Sequence, residues 1–250
     1  MMSAVMEMAP MPPQGRMPPG LEYLSALDYV GIIQRKECME ILSGCETRNS
    51  YRILDKNGLQ CYNVFEESSA FMRMCCGTSR EFIFHITDNT NTEVLRIRKE
   101  YKCCSGVSCC AENDHCAILL SVEAPPGQVI GYVRQEAYWR KLNLSIRDNE
   151  FNRILSIHGP CCVWTGRSCC DTQFDIIGND GITPIGMIRK KFGGLIKEMF
   201  TNADNFGVAF PIDLDVKIKA ILLAATILID FMYFEKDKKN SSQYADMFFS

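Results

Sequence analysis

The sequence predicts a mainly β domain, an antiparallel meander closed into a barrel around a hydrophobic C-terminal helix. Three observations carry that expectation. Short stretches of apolar–polar alternation recur from Tyr51 onward, turn-forming clusters punctuate them at hairpin spacing, and one late segment is apolar on every side. At 250 residues, with 47% hydrophobic and 23% charged residues, the chain sits at globular averages and suits one large domain or two small ones. Its net charge of -3 gives no general attraction to phosphate backbones, so no specific nucleic-acid partner is expected.

Residues 1–20 hold half of the 10 prolines, several methionines and almost no charge. Such a composition cannot build a core, and a solvated, disordered leader is expected there. Pro10 and Pro13 have the PxxP spacing that docks into SH3- or WW-type grooves, which makes those domains candidate partners. The N-terminus has neither a basic start nor an uninterrupted apolar stretch, so no secretory signal is read, and the 14 cysteines are expected to be reduced thiols in the cytosol.

The domain is read over 21–235. Within it Leu95 and Ile97 alternate with Arg96 and Arg98, and Leu142, Leu144 and Ile146 alternate with Asn143, Ser145 and Arg147, so one face of each strand is buried and the other wet. The clusters Asp55–Gly58, Asp88–Asn91, Ala124–Gly127, Asp148-Asn149 and Asn179–Gly181 supply the positive-φ or φ-restricted residues that hairpins require. The last element is a helix over about 216–234, whose segment Ala220–Ile229 carries no charge. Its span of ~28 Å nearly matches the ~30 Å hydrocarbon layer of a bilayer, so length admits both a buried helix and a single transmembrane pass. Lys217, Lys219 and Asp230 interrupt the stretch and favour the buried helix, held by a barrel wide enough to enclose it. Residues 236–250 read as a polar tail.

Four collinear segments resemble the phospholipid scramblase family: Pro18–Leu24, Ala124–Val133, Asn205–Lys217 and Ile227–Glu235. The likeness runs from about Pro18 to Glu235. It implies a tubby-like domain, a closed antiparallel barrel of about a dozen strands around a hydrophobic C-terminal helix, which agrees with the reading from the residues. It also implies Ca²⁺-dependent, ATP-independent, bidirectional movement of phospholipids across the plasma membrane.

Five adjacent cysteine pairs stand out: Cys75-Cys76, Cys103-Cys104, Cys109-Cys110, Cys161-Cys162 and Cys169-Cys170. Zinc sites prefer C-x₂₋₄-C spacing, which neighbouring cysteines lack. Cys103, Cys104, Cys109 and Cys110 flank a short polar loop after Arg96, Arg98, Lys99 and Lys102, and acyl chains beside basic residues make a two-signal membrane anchor. The family's acylated cluster matches this position, so the resemblance implies covalent palmitate among these four cysteines, and the split by residues 105–108 leaves open which of the four carry it. The remaining pairs read as small core or strand-end residues.

The segment Asn202–Asp213 has the length of a calcium loop, with Gly207 at the sixth position and Asp213 at the twelfth, and it resembles the family's proposed Ca²⁺ segment. Its candidate ligands are Asn202, Asp204, Phe206, Val208 and Asp213, of which only Asp204 and Asp213 bring a carboxylate, so affinity no better than ~10⁻⁴ M is expected. The competing reading is a strand leading into the central helix, with Phe206 and Phe210 packed inside. Arg189, Lys190 and Lys191 are candidates for anionic lipid headgroups, against the plainer reading of a charged strand edge.

No nucleophile elbow, zinc-protease, P-loop or dinucleotide fingerprint occurs, and only three histidines could serve as bases, so no bond-breaking enzyme is expected. The leading expectation is a lipid-anchored, Ca²⁺-responsive scramblase on the cytoplasmic face of the plasma membrane. The alternative is a palmitoylated, membrane-tethered adaptor that binds lipid or protein without transport.

Overall fold

The computed structural model describes residues 17–35, 48–76, 79–102, 111–137, 141–161, 172–191 and 205–234. Its twelve strands are β1 Tyr29–Arg35, β2 Ser50–Leu54, β3 Gln60–Glu67, β4 Phe82–Thr87, β5 Glu93–Lys99, β6 Leu119–Glu123, β7 Val129–Gln135, β8 Lys141–Asp148, β9 Arg153–Cys161, β10 Thr172–Ile177, β11 Pro184–Lys191 and β12 Asn205–Ala209. Each pairs with its sequence neighbours, and β12 returns antiparallel to β1 with Tyr29 opposite Ala209 and Ile33 opposite Asn205. The meander therefore closes into the expected barrel, and closure leaves no free sheet edge.

Strand alternation sorts the side chains as the sequence predicts. Leu95 and Ile97, and Leu142, Leu144 and Ile146, are buried in one continuous core, while Arg96 and Arg98 face outward. Five short connections gather at one mouth, and in four of them an aspartate organises the turn. Oδ1 of Asp55 accepts from the amides of Asn57 and Leu59, both at 2.8 Å, and Asp88, Asp148 and Asp180 accept from two following amides in the same way. The Thr90 hydroxyl, then the Thr92 amide, hold the Asp88 carboxyl below the ordinary carboxylate range. Each turn needs one left-handed residue, supplied by Gly58, Asn91, Gly127, Phe151 and Gly181.

The helix α3, Val216–Ile229, follows a short helix α1, Glu22–Ser25, and a second one, α2, Ala70–Cys76. Asp215 caps α3 by accepting from the Lys217 amide at 2.7 Å, and the helix continues into a π-helical turn, Asp230–Phe234. Every residue from Lys219 to Ile229 is buried, as an all-round apolar helix demands. At Gly131, on β7, an added Cβ would strike Ile221 Cδ1 and the Arg147 carbonyl, so a strand wall approaches the helix closely there. The transmembrane alternative for 216–234 gives way to this arrangement, because the barrel interior offers apolar surface to all sides of the helix. Among the described residues no helix is long and apolar enough to cross a membrane.

Candidate functional site

The two mouths of the barrel differ in chemistry. At the hairpin mouth, α1 and the segment before α3 cover the opening. The Lys219 ammonium is fully buried there and donates to the carbonyls of Leu24 at 3.1 Å and of Leu27 and Ile212, both at 2.8 Å. Burial lowers its pKa, opposed by the carboxylates of Asp213 and Asp28.

At the opposite mouth, where the longer connections lie, a polar cluster surrounds the C-terminal end of the helix. Arg80 and Glu66, with side chains 0% and 0% exposed, pair at 3.1 Å. Glu66 also accepts from the Asn49 side chain at 2.8 Å, and Asp230 accepts from the Tyr51 hydroxyl at 2.8 Å. The Arg80 guanidinium lies 4.5 Å over the Phe231 ring. Lys99 points inward and donates to the carbonyls of Arg80 at 2.8 Å and Ser79 at 3.1 Å. Burial, then the Arg80 and Lys102 charges, lower its pKa to about 8. These contacts bind the helix end to the wall, and among the described residues no group of three or more His, Cys, Asp or Glu is arranged to hold a metal.

The residues singled out from the sequence fall in several places. Cys103, Cys104, Cys109 and Cys110 lie outside the described residues, between β5 and β6 in the sequence. Of the basic residues before them, Arg96 is forked onto Glu93 at 2.8 and 2.7 Å, Lys99 is buried, and Lys102 ties the carbonyls of Asp114 and Ala117 at 2.5 and 2.9 Å. Arg98, with a side chain 47% exposed, is the one of the four that stays open to a surface. Cys75 is exposed on α2 and Cys76 half-buried, rather than core residues. Cys116 is disulfide-bonded, a departure from the reduced thiols expected throughout.

Asn202 and Asp204 are also outside the described residues, while Phe206 and Val208 point into the core from β12 and Asp213 is exposed. The segment 205–209 is an extended strand paired on both sides, about 13 Å long at ~3.3 Å per residue. Its ends leave at opposite mouths, so residues 205–213 form no wrapped loop, and the strand reading describes them. The basic run divides by strand alternation. Arg189 faces outward and donates to the Gln173 side chain at 2.8 Å, and Lys190 is 2% exposed with its ammonium 5.5 Å over the Phe206 ring. Lys190 is therefore turned away from a headgroup outside the barrel. Lys191 ends β11, and its side chain lies outside what is described.

One constellation was missed from sequence. On the outer wall of β7 and β8 a cleft of about 510 Å³ is lined by Glu112, Asp114, Arg134, Glu136, Arg147 and Phe151, with Ala137. Glu136 bridges the two arginines, accepting from Arg134 at 2.8 Å and Arg147 at 3.0 Å, with Ser145 donating to it at 2.5 Å. Arg134 also reaches Asp114 at 2.8 Å and holds that carboxyl below its ordinary range. Arg147 lies 4.6 Å over the Phe151 ring, whose other neighbour is Tyr132 at 5.2 Å, edge to face. The signal available in the sequence was a phenylalanine at the turn position that needs φ > 0, where the sibling hairpins place glycine or asparagine.

The family model described as Scramblase matches residues 7–236. Phospholipid scramblase 1 of Homo sapiens is 42% identical over 228 residues, covering 91% of this chain and 69% of its own length. Phospholipid scramblase 2 of Bos taurus is also 42% identical over 228 residues, with 91% and 75% covered. Phospholipid scramblase family member 5 of Homo sapiens is 38% identical over 227 residues, with 89% and 80% covered.

Proposed function

From the premise that the chain belongs to the scramblase family, we propose that it moves phospholipids in both directions between bilayer leaflets at the cytoplasmic face of the plasma membrane, in response to Ca²⁺ and without ATP. The observation that supports this most is the collinear likeness of nearly the whole domain to phospholipid scramblases. In this reading the membrane anchor is palmitate on Cys103, Cys104, Cys109 and Cys110, whose connection leaves the barrel at the polar mouth. Calcium is met weakly at the Asn202 and Asp204 end of β12, since Asp213 stands at the other mouth. No covalent chemistry is involved; the protein lowers the barrier for a headgroup to cross the hydrocarbon layer. Because α3 fills the interior, the lipid path runs along the outer wall or through bilayer perturbed by the anchored barrel.

That filled interior favours one second reading, an acylated adaptor that holds lipid or an SH3- or WW-domain partner at the membrane without transport. Purified full-length protein reconstituted into liposomes with fluorescent phospholipid separates the two. Ca²⁺-dependent, nucleotide-free exchange of label between leaflets is expected. Rates equal to those of protein-free liposomes at every Ca²⁺ concentration would leave the adaptor.

A further inference from the structure

The wall cleft of β7 and β8 contains a structural cost that its fold does not require. Phe151 holds φ 69, while the equivalent positions of the other hairpins are Gly58, Asn91, Gly127 and Gly181. A bulky residue in the left-handed region is strained by about 1 kcal/mol or more, and such strain persists where surrounding contacts over-determine it. Here those contacts are the Arg147 guanidinium on the ring and the Arg147 donation to the Phe151 carbonyl at 3.0 Å. A glycine would make the same turn without strain, so the turn itself does not call for the ring. Phe151 is 39% exposed at the rim of the cleft.

The charges of the cleft narrow what fits it. Glu112, Asp114 and Glu136 face Arg134 and Arg147, leaving one carboxylate in surplus. A free phosphate dianion meets that surplus, and a bare ammonium leaves the guanidinium side unused. A ligand carrying both charges a few ångströms apart uses both sides, and an aromatic rim adds attraction for the ammonium. We propose that this cleft binds the ammonium–phosphate head of a zwitterionic glycerophospholipid, with the ammonium against the exposed side of Phe151 and the carboxylates of Glu112 and Asp114, and the phosphate against Arg147. The assignment rests on the lipid-handling function proposed above and specifies a headgroup site for it.

The test titrates full-length protein with phosphocholine, choline or inorganic phosphate, read by amide chemical shifts in two-dimensional NMR. Saturable shifts around 111–115, 134–137 and 145–152 are expected with phosphocholine, and binding of either fragment at least about ten-fold weaker, since each fragment loses one charged partner. Phe151→Gly keeps the left-handed turn, so its melting temperature should equal or exceed that of the wild type while phosphocholine binds about 2- to 5-fold more weakly. No saturable shift, a fragment that binds as tightly as phosphocholine, or a Phe151→Gly variant of unchanged affinity overturns the assignment. Liposome transport separates the two layers. Transport without phosphocholine binding removes the cleft and keeps the function, whereas binding without transport keeps the headgroup site and removes the scramblase reading.

Discussion

Replacing Leu222 by Ala tests whether the helix is the support on which the barrel is built. Leu222 is 0% exposed in the middle of α3, surrounded by the interior faces of the strands. Loss of its three terminal carbons forfeits roughly 2.4 kcal/mol of transfer energy at ~0.8 kcal/mol per methylene, and the incompletely collapsed cavity raises the cost to about 4 kcal/mol. For a domain of this size each kcal/mol moves the melting temperature by ~2–4 °C, so a drop of about 8–16 °C is expected. The assay is thermal unfolding of the full chain followed by far-ultraviolet circular dichroism, with hydrogen exchange at amides of β7 and β8 as a strand-specific probe. Lys217→Ala, on the exposed first turn of the helix, serves as the control and should change stability by less than about 0.5 kcal/mol. If Leu222→Ala melts with the wild type, or if only helix amides lose protection, the helix is an appendage and the reasoning fails.

Four further outcomes are expected. Lys99 has a folded pKa of about 8 against 10.5 for a free lysine, so the folded protein binds fewer protons between those values; wild type should gain up to about 3 kcal/mol of stability over Lys99→Met as pH rises from about 8 to 10.5, measured by urea unfolding at several pH values. Gly131→Ala should destabilise by about 1–3 kcal/mol, because the new methyl meets the Arg147 carbonyl, and calorimetric melting that matches wild type would show that β7 can yield. Changing Cys103, Cys104, Cys109 and Cys110 together to Ala should shift the protein from membrane to soluble fractions; full membrane retention would exclude acylation there as the anchor. Asn202→Asp should tighten Ca²⁺ binding and Asp204→Ala abolish it, and calorimetry that finds all three proteins alike would make the segment purely structural.

The barrel was legible where local rules decide. Leu142, Leu144 and Ile146 had to face one way, and the Asp55 and Asp88 clusters had to turn the chain, because both depend on nearest neighbours. Closure was less so, since β1 meets β12 across most of the domain, and register between them comes from the strands in between. Buried charges escaped for a related reason. Lys99, Lys190, Lys219 and Arg80 look like surface residues in a string of letters, and their burial depends on carbonyls, rings and a carboxylate brought in from elsewhere. The length of the Asn202–Asp213 segment decided nothing, because twelve residues fit a loop and a paired strand equally well until the partners on either side are known. The cleft on β7 and β8 joins three separate stretches, and the one trace of it in the sequence, Phe151 at a turn position where the other hairpins place glycine or asparagine, was passed over.

The order of elements along the chain sets a schedule for biosynthesis. All twelve strands that line the barrel are translated before the helix that fills it, and β12 ends at Ala209 while the helix and its π-helical turn end at Phe234. At ~5–20 residues per second the intervening 25 residues take about 1–5 s to make, an interval in which the nascent sheet holds its apolar inner faces with nothing between them. During that interval the chain is a client for chaperones that shield hydrophobic surface. A nonsense codon anywhere between Phe210 and Val216 would leave a product with every strand and no filling, destined for aggregation or proteolysis.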